Sequence, residues 1–348
     1  MNSLSPSENN IKIFVIIVTF NGAKWVENCF NSLRNSTIPV QTIVIDNKSS
    51  DNCISLIQSG FPEVNVIHSP ENLGFGKANN IGITEALKLG ADYVFLLNQD
   101  AWVMPETIEK LVEVHQANPK YYVLSPLHLE GTGKKLDFGF SLYISPYDCE
   151  NMVSDLILRK ESVKDVYNTN FVNAAFWLIS REGIEKIGLF DPIFPHYGED
   201  NDYLHRVKFH GGKTGICPAS FACHDRIQEL ASVEKFPYDK RYKRQIVGCL
   251  ITLMNINNSF YHCFMVFMRS RMEFFFASFF KAKMKESFLE LKVFFCILLK
   301  ISKIKKHRTV NMEKGSWLNK SSPFSSKVTP LKPISFNSPN NKTLFTIL

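Results

Sequence analysis

The chain has no uninterrupted apolar run of the ~20 residues that a membrane-spanning helix needs, so none is expected. Residues Met1 to Asn10 contain neither a basic stretch nor an apolar one, so no secretion signal is expected. The eight cysteines form no CxxC pair and follow no regular spacing. Cys217, Cys223 and His224 lie close in sequence but supply too few ligands for a tetrahedral zinc site. Unpaired thiols fit a reducing cytoplasm. Internal repeats are also missing.

What is abundant is phenylalanine, with 29 among 348 residues, and the chain is long enough for one large core or two modest ones. The formal charge of +7 conceals an asymmetry. Residues 1–230 hold 19 basic and 27 acidic side chains, a net of −8, whereas residues 231–348 hold 21 and 6, a net of +15. An acidic body joined to a basic end points to an anionic partner, a nucleic acid or a membrane surface.

The first half alternates short apolar runs with helical spacings. Ile13 to Thr19 is a β-branched run of the kind buried on both faces of a sheet. Strands are also expected at Thr42–Ile45, Val64–His68 and Tyr93–Leu97. Helices are expected at Lys24–Asn35, Asn52–Gln58, Gly76–Leu89 and from Pro105 to Ala117. This alternation implies an α/β fold with a mostly parallel mixed sheet, whose ligand lies beyond the carboxyl ends of the strands. Asp46 and Asp100 both follow such ends. Further β-like pieces are expected near 122–128, 136–143 and 171–179. The organisation predicted is a disordered 1–10, a catalytic domain over 11–235, basic amphipathic helices over 236–308 and a disordered tail over 309–348.

The segment Phe190 to Tyr203 carries Asp191, Glu199, Asp200 and Asp202 among aromatics, prolines and a glycine. A solvated charge run has no need of Phe190, Phe194, Tyr197 and Tyr203, so the segment is expected to be folded with its carboxylates in a cleft. Carboxylates in a partly apolar site suit two tasks: holding a hard cation and accepting a proton from a nucleophile.

Five segments, in order, resemble the motifs of inverting family-2 glycosyltransferases. They are Phe14–Asn21, Val44–Asp51, Glu71–Gly82, Leu96–Asp100 and Phe190–Tyr203. Leu96-Leu97-Asn98-Gln99-Asp100 is closest to the shortened metal motif of the rhamnosyltransferase-like branch. The resemblance implies a GT-A fold, with C-terminal helices following, and sugar transfer from a nucleotide-sugar donor. It implies that Thr19, Phe20 and Asn21 line the base pocket. Asp46 suits either a turn cap or, as the resemblance implies, the acceptor for a pyrimidine N3–H. Gly74, at the opening of a helix, is a candidate diphosphate contact, and Lys77 a candidate phosphate or ribose contact. Asn98 and Asp100 belong to the donor site, with Asp100 and His224 holding Mg2+ or Mn2+. Asp200 is the implied base and Glu199 its orienting neighbour. Asp202 and Asp191 are read as caps.

The donor expected is a dTDP- or UDP-sugar, rhamnose by subclass. The acceptor is a hydroxyl of a surface-glycan or lipid-linked saccharide. The enzyme is placed in the cytoplasm, peripheral on the inner face of the membrane. Two rival readings are weaker. A nucleotidyltransferase needs a Gly-rich basic signature after the first strand, where Asn21-Gly22-Ala23-Lys24-Trp25 stands. A non-catalytic module binding nucleic acid or an anionic surface leaves the acidic pair unexplained, so nucleic acid is not expected as a partner.

Overall fold

The computed structural model describes residues 11–149, 151–158, 163–226 and 236–318. The expected disorder of 1–10, and of the tail from 319 on, lies outside the described residues.

The fold begins with β1 (Ile13–Thr19), a turn of 3-10 helix over Ala23–Trp25, α1 (Val26–Arg34), β2 (Gln41–Asp46), α2 (Cys53–Gly60), β3 (Asn65–His68), α3 (Phe75–Lys88) and β4 (Tyr93–Asn98). These strands form the wholly parallel half of the sheet, in the order β3-β2-β1-β4. Successive β1 side chains point to opposite faces, as strand geometry requires. Phe14 and Ile16 join one hydrophobic core, and Ile13, Val15 and Ile17 join the other. Helix α3 lies so close to β1 that a Cβ on Gly82 would meet Ile16 Cγ2 at 2.4 Å.

The second half comprises β5 (Ala101–Val103), α4 (Thr107–Ala117), β6 (Tyr121–Glu130), α5 (Phe138–Ser141), α6 (Met152–Ile157), β7 (Tyr167–Asn168), β8 (Phe176–Ser180), α7 (Arg181–Ile187), α8 (Glu199–Phe209) and β9 (Lys213–His224). The sheet continues β4-β8-β6-β9-β5, with β7 also on β9. Here β6 and β9 run parallel, while β8, β5 and β7 pair antiparallel. The whole is a mixed α/β sheet, parallel through its first half and followed by helices, as expected.

Two expectations change. The 136–143 piece is not a strand, because Asp137 caps the short helix α5 through Phe140 N and Phe140 turns into the core. Of 171–179, only residues from Phe176 on are strand.

Four helices follow: α9 (Tyr238–Met254), α10 (Phe260–Phe280), α11 (Met284–Leu298) and α12 (Ile301–Asn311). Their inner faces form a third core with Ile193 and Phe194 of the acidic segment. Arg308, buried in α12, donates to the carbonyls of Leu253, Asn255 and Asn258 and fixes the turn between α9 and α10. The expected start of a disordered tail at 309 is corrected. Residues 309–311 complete α12, and the chain to 318 packs on the catalytic domain. Leu189 N donates to Ser316 O, and Ser316 Oγ donates to Ile187 O.

The aromatics of the acidic segment are buried except Tyr197. Phe190 and Tyr203 pack around Trp177. Asn80, in the middle of α3, holds this segment in place: its Nδ2 donates to Phe190 O at 2.8 Å and its Oδ1 accepts from Phe190 N at 2.8 Å. Asn is a poor helix former, and this contact accounts for its place in the middle of α3. Asn80→Ala leaves a buried N–H and a buried C=O unpaired, a loss of about 2–4 kcal/mol. Urea unfolding will show the midpoint falling accordingly, and a loss under about 1 kcal/mol contradicts the clamp.

Candidate active site

Register builds the site. β1 and β2 end level, with Thr19 opposite Asp46, and Val18 lies opposite Asn98 of β4. Ala101 of β5 pairs with His224 of β9, which brings Asp100 beside a histidine 124 positions later in the chain. Beyond these ends opens a cavity of about 740 Å3, within the usual size for small-ligand sites. Phe20, Gly74, Lys77, Asn98 and Asp100 line it, with Pro195 and His196 opposite.

Not every expected donor residue reaches the cavity. Phe20 does, but Thr19 is buried and donates to Gln99 Oε1 at 2.9 Å. Asn21, at φ 52°, turns its side-chain oxygen to the amides of Ser50 and Asp51 and shapes that loop instead. Asp46 accepts from Ser49 N at 2.8 Å and faces His68 Nδ1 at 3.1 Å, the turn-cap arrangement. Three residues that sequence reasoning missed complete the wall. Gln99 accepts from Phe20 N, and its Nε2 donates to Phe20 O. Asn47 holds the loop before α3 through Leu73 N and Gly74 O. Glu71 also lines the wall.

Gly74 sits at φ 77°, and a Cβ there would meet Pro195 O at 2.4 Å. The loop that opens α3 thus touches the loop that leads into α8. One residue pair further in, Gly76 faces Phe190 Cβ and Glu199 Cβ at 3.2 and 3.5 Å from where its own Cβ would stand. The first contact needs glycine, the second is tight, and together they seat the start of α3 against Glu199 and the loop before it.

Glu199 and Asp200 occupy the first turn of α8, after Gly198 in left-handed conformation. Glu199 is buried, and its Oε2 has no hydrogen-bond partner among the described residues. Burial, helped by the charge on Asp200, pushes its pKa up to about 8. Asp200 is half-buried, accepts from Asn201 N at 2.8 Å, and is pushed up to about 6 by burial. Asp200 is not on the wall of that cavity. Its charge instead reaches Tyr143, a phenol whose pKa is raised first by burial. Tyr143 also lies edge-on to Phe171 and near Asn173 and Arg226. These residues come from parts of the chain far apart.

Asp202 and Asp191 lie outside the cleft. Asp202 is no cap; it lies one turn into α8, fully buried, ion-paired to Arg206 at 2.9 Å and accepting from Asn311 Nδ2. Asp191 caps its turn through Ile193 N, as expected, and also accepts from Asn311 Nδ2 and lies 2.6 Å from His307 Nδ1. Helix α12 is therefore tied directly to both ends of the acidic segment.

His224 Nε2 stands 3.3 Å from Asp100 Oδ1 and 3.4 Å from Asn98 Nδ2. Two cis ligands on an octahedral ion with bonds of ~2.1 Å lie about 3 Å apart, so a carboxylate oxygen and an imidazole nitrogen at this spacing fit Mg2+ or Mn2+. Among the described residues no cluster of three or more His, Cys, Asp or Glu side chains is suited to a metal. A divalent ion that keeps phosphate and water in its shell needs only one or two protein ligands.

The model of the family described as Glycosyl transferase family 2 matches residues 14–188. The N-acetylglucosaminyl-diphospho-decaprenol L-rhamnosyltransferase of Mycobacterium tuberculosis is 22% identical over 231 residues, covering 61% of this chain and 75% of that protein. A UDP-N-acetylglucosamine–dolichyl-phosphate N-acetylglucosaminyltransferase of Methanococcus voltae is 27% identical over 127 residues, 32% of this chain and 50% of its own. Among solved structures, the mannosyltransferase PcManGT of Pyrobaculum calidifontis, in complex with GDP-Man and Mn2+, superposes with a TM-score of 0.51 at 13% identity over 90% of this chain and 86% of that one. Residues 1–349 of S. aureus TarS give 0.50 at 14% identity over 73% and 68%. The five ordered motifs, the mixed sheet and the family match agree: this chain belongs to glycosyl transferase family 2 and is a glycosyltransferase that uses a nucleotide-sugar donor.

Proposed function

We propose that the chain transfers a sugar, rhamnose by subclass, from a dTDP- or UDP-linked donor to a hydroxyl of a lipid-linked or surface saccharide, with inversion. The observation that carries this is the junction of two half-sites. Asp100 and His224 meet at 3.3 Å at one side of the donor cavity, while Glu199, the neighbour of Asp200, packs on the α3 start that forms another wall. The rhamnosyltransferase relative, named for a diphospho-decaprenol substrate, supports the choice of sugar and acceptor.

In this reading the nucleotide lies in the cavity near Phe20, with Lys77 and the amides at the start of α3 toward the diphosphate. Asp100 and His224 hold Mg2+ or Mn2+, which when bound neutralises charge on the departing diphosphate. The acceptor enters beside Tyr143. Asp200 takes the proton of its hydroxyl as the oxygen attacks the anomeric carbon, a contribution of roughly 10²–10⁴ in rate. Glu199, protonated at neutral pH because burial holds its pKa near 8, keeps a second charge out of the site.

The pH dependence has a definite sign. A base works deprotonated, so kcat/KM rises as pH climbs through about 6, the value for Asp200. It falls above about 8, where Glu199 ionises beside it. Both folded pKa values lie above those of the unfolded chain. The associated stability is complete below the unfolded values and is lost as pH rises through about 6 and about 8. A flat profile between pH 5 and 9 contradicts both assignments. A thermal-shift panel of nucleotide sugars with and without Mn2+ tests the donor class; a ligand at a hundredfold over Kd stabilises the fold by about 2.7 kcal/mol.

A further inference from the structure

The outer face of the C-terminal helices is apolar in a way that folding does not require. Helices α10 and α11 run antiparallel. Phe267 stacks on Phe294 with centroids 5.8 Å apart, and Arg271 pairs with Glu290 at 2.8 Å, positions that keep one constant sum along the pair. Their inner faces, through Phe267, Leu289, Val293 and Ile297, close the third core. The opposite face of α11 carries Met284, Phe288, Leu291, Phe295 and Leu299 at spacings of four, three, four and four, a single helical stripe. All five are exposed, Phe288 at 64% and Leu299 at 88%. The distal half of α10 adds Met272, Phe276, Phe279 and Phe280, also exposed, and runs into the turn before Met284. Contiguous exposed apolar surface of this kind marks a docking site.

Charge identifies the occupant. The acids of this pair of helices are matched internally: Glu273 by Arg269, Glu286 by Arg241 and Glu290 by Arg271. Lys281, Lys285 and Lys300 remain exposed at the ends of the stripe, without an acid partner among the described residues. A second copy of the chain presents the same cations and is repelled. An anionic lipid surface accepts both the cations and the phenyl rings. No described helix is long and apolar enough to cross a bilayer, so the element lies along the surface.

We infer that the α10–α11 hairpin is a monotopic membrane-docking element, seated in the headgroup region of an anionic bilayer with its phenylalanine and leucine stripe in the lipid. Because α12 ties this helical region to Asp191 and Asp202, docking sets the acidic segment at a fixed height above the lipid. The inference rests on this surface alone and not on the sugar or acceptor proposed above.

The test uses the full chain and flotation with vesicles of phosphatidylcholine, with and without an equal part of phosphatidylglycerol. Removing the helices is the wrong experiment, since they complete the third core. Phe280→Ser with Phe288→Ser and Leu299→Ser alters three outward side chains. Lys281→Glu with Lys285→Glu and Lys300→Glu alters only charge. Wild type floats with the anionic vesicles. The first triple variant loses at least tenfold in partitioning at any salt, with an unchanged melting temperature and unchanged nucleotide binding. The second loses about fivefold per lysine at low salt and less at high salt. The inference is overturned if wild type stays at the bottom of the gradient with anionic vesicles. It is equally overturned if the phenylalanine variant floats as well as wild type, which leaves only electrostatic adsorption. A wild-type dimer that the first variant converts to monomer, with no vesicle binding by either, assigns the stripe to a second copy and also overturns it.

Discussion

Asp200→Asn abolishes turnover to within roughly 10²–10⁴-fold below wild type while leaving nucleotide binding intact. The substitution is nearly isosteric and keeps the acceptor for Asn201 N, so the first turn of α8 is preserved. What disappears is the group that takes the hydroxyl proton. That loss is about 3–5 kcal/mol in the barrier. The amide also removes a desolvated charge, so the variant is no less stable than wild type at pH 8. Glu199→Gln has a different signature. Its Oε2 is buried without a partner, and the neutral amide resembles the protonated acid, so turnover falls far less and the alkaline limb of the pH profile disappears. Turnover of Asp200→Asn within tenfold of wild type contradicts its role as base.

Asp100→Ala removes one of two protein ligands from the proposed ion and weakens nucleotide and metal binding together. In calorimetry with dTDP or UDP, wild type binds far better with Mn2+ than without it. Asp100→Ala loses at least tenfold and becomes insensitive to Mn2+. His224→Ala shows a smaller loss of the same kind, since the imidazole is neutral and the diphosphate can take its place in the shell. Asn98→Ala changes little, because its amide nitrogen, not an anionic group, faces His224 at 3.4 Å. Binding by Asp100→Ala as tight as wild type, with the Mn2+ response intact, removes Asp100 from the site.

The parts of this molecule that sequence patterns reveal are those set by local burial. β1, β2 and β4 are continuous apolar runs because both faces of each are covered, and the acidic segment stands out because Phe190 and Tyr203 pack around Trp177 while Phe194 enters the third core. β9 was not visible in the same way. Pro218 interrupts it, and its pairing with β6 shifts register between Pro126 and Leu127, so its identity depends on a partner about 90 residues earlier. α5 is a single turn whose formation depends on one capping carboxylate, Asp137. The basic end was legible as helices, but the contacts by which it supports the acidic segment were not. Nothing in the spacing of His307, Asn311 and Ser316 announces that they reach Asp191, Asp202 and Ile187.

The site divides along the same line. Asp100 and His224 meet because Ala101 and His224 share a register, and the resemblance of both positions to a known motif anticipated the pairing. Asp46 has a different setting: the register of β2 with β3 places it opposite His68, and Ser49 N takes one oxygen. Tyr143 and Arg226 carry no motif, and only the fold brings them together with Asn173 and sets Tyr143 within reach of the Asp200 charge.

The most direct measurement is the product itself. The full chain is incubated with Mn2+, a panel of dTDP- and UDP-sugars and a lipid-linked saccharide acceptor. Release of nucleoside diphosphate is followed, and the anomeric proton of the product is read by NMR. The proposed mechanism predicts acceptor-dependent release with one donor, a product whose anomeric configuration is opposite to that of the donor, and neither signal from Asp200→Asn. A product of retained configuration, or release from Asp200→Asn at the wild-type rate, contradicts it.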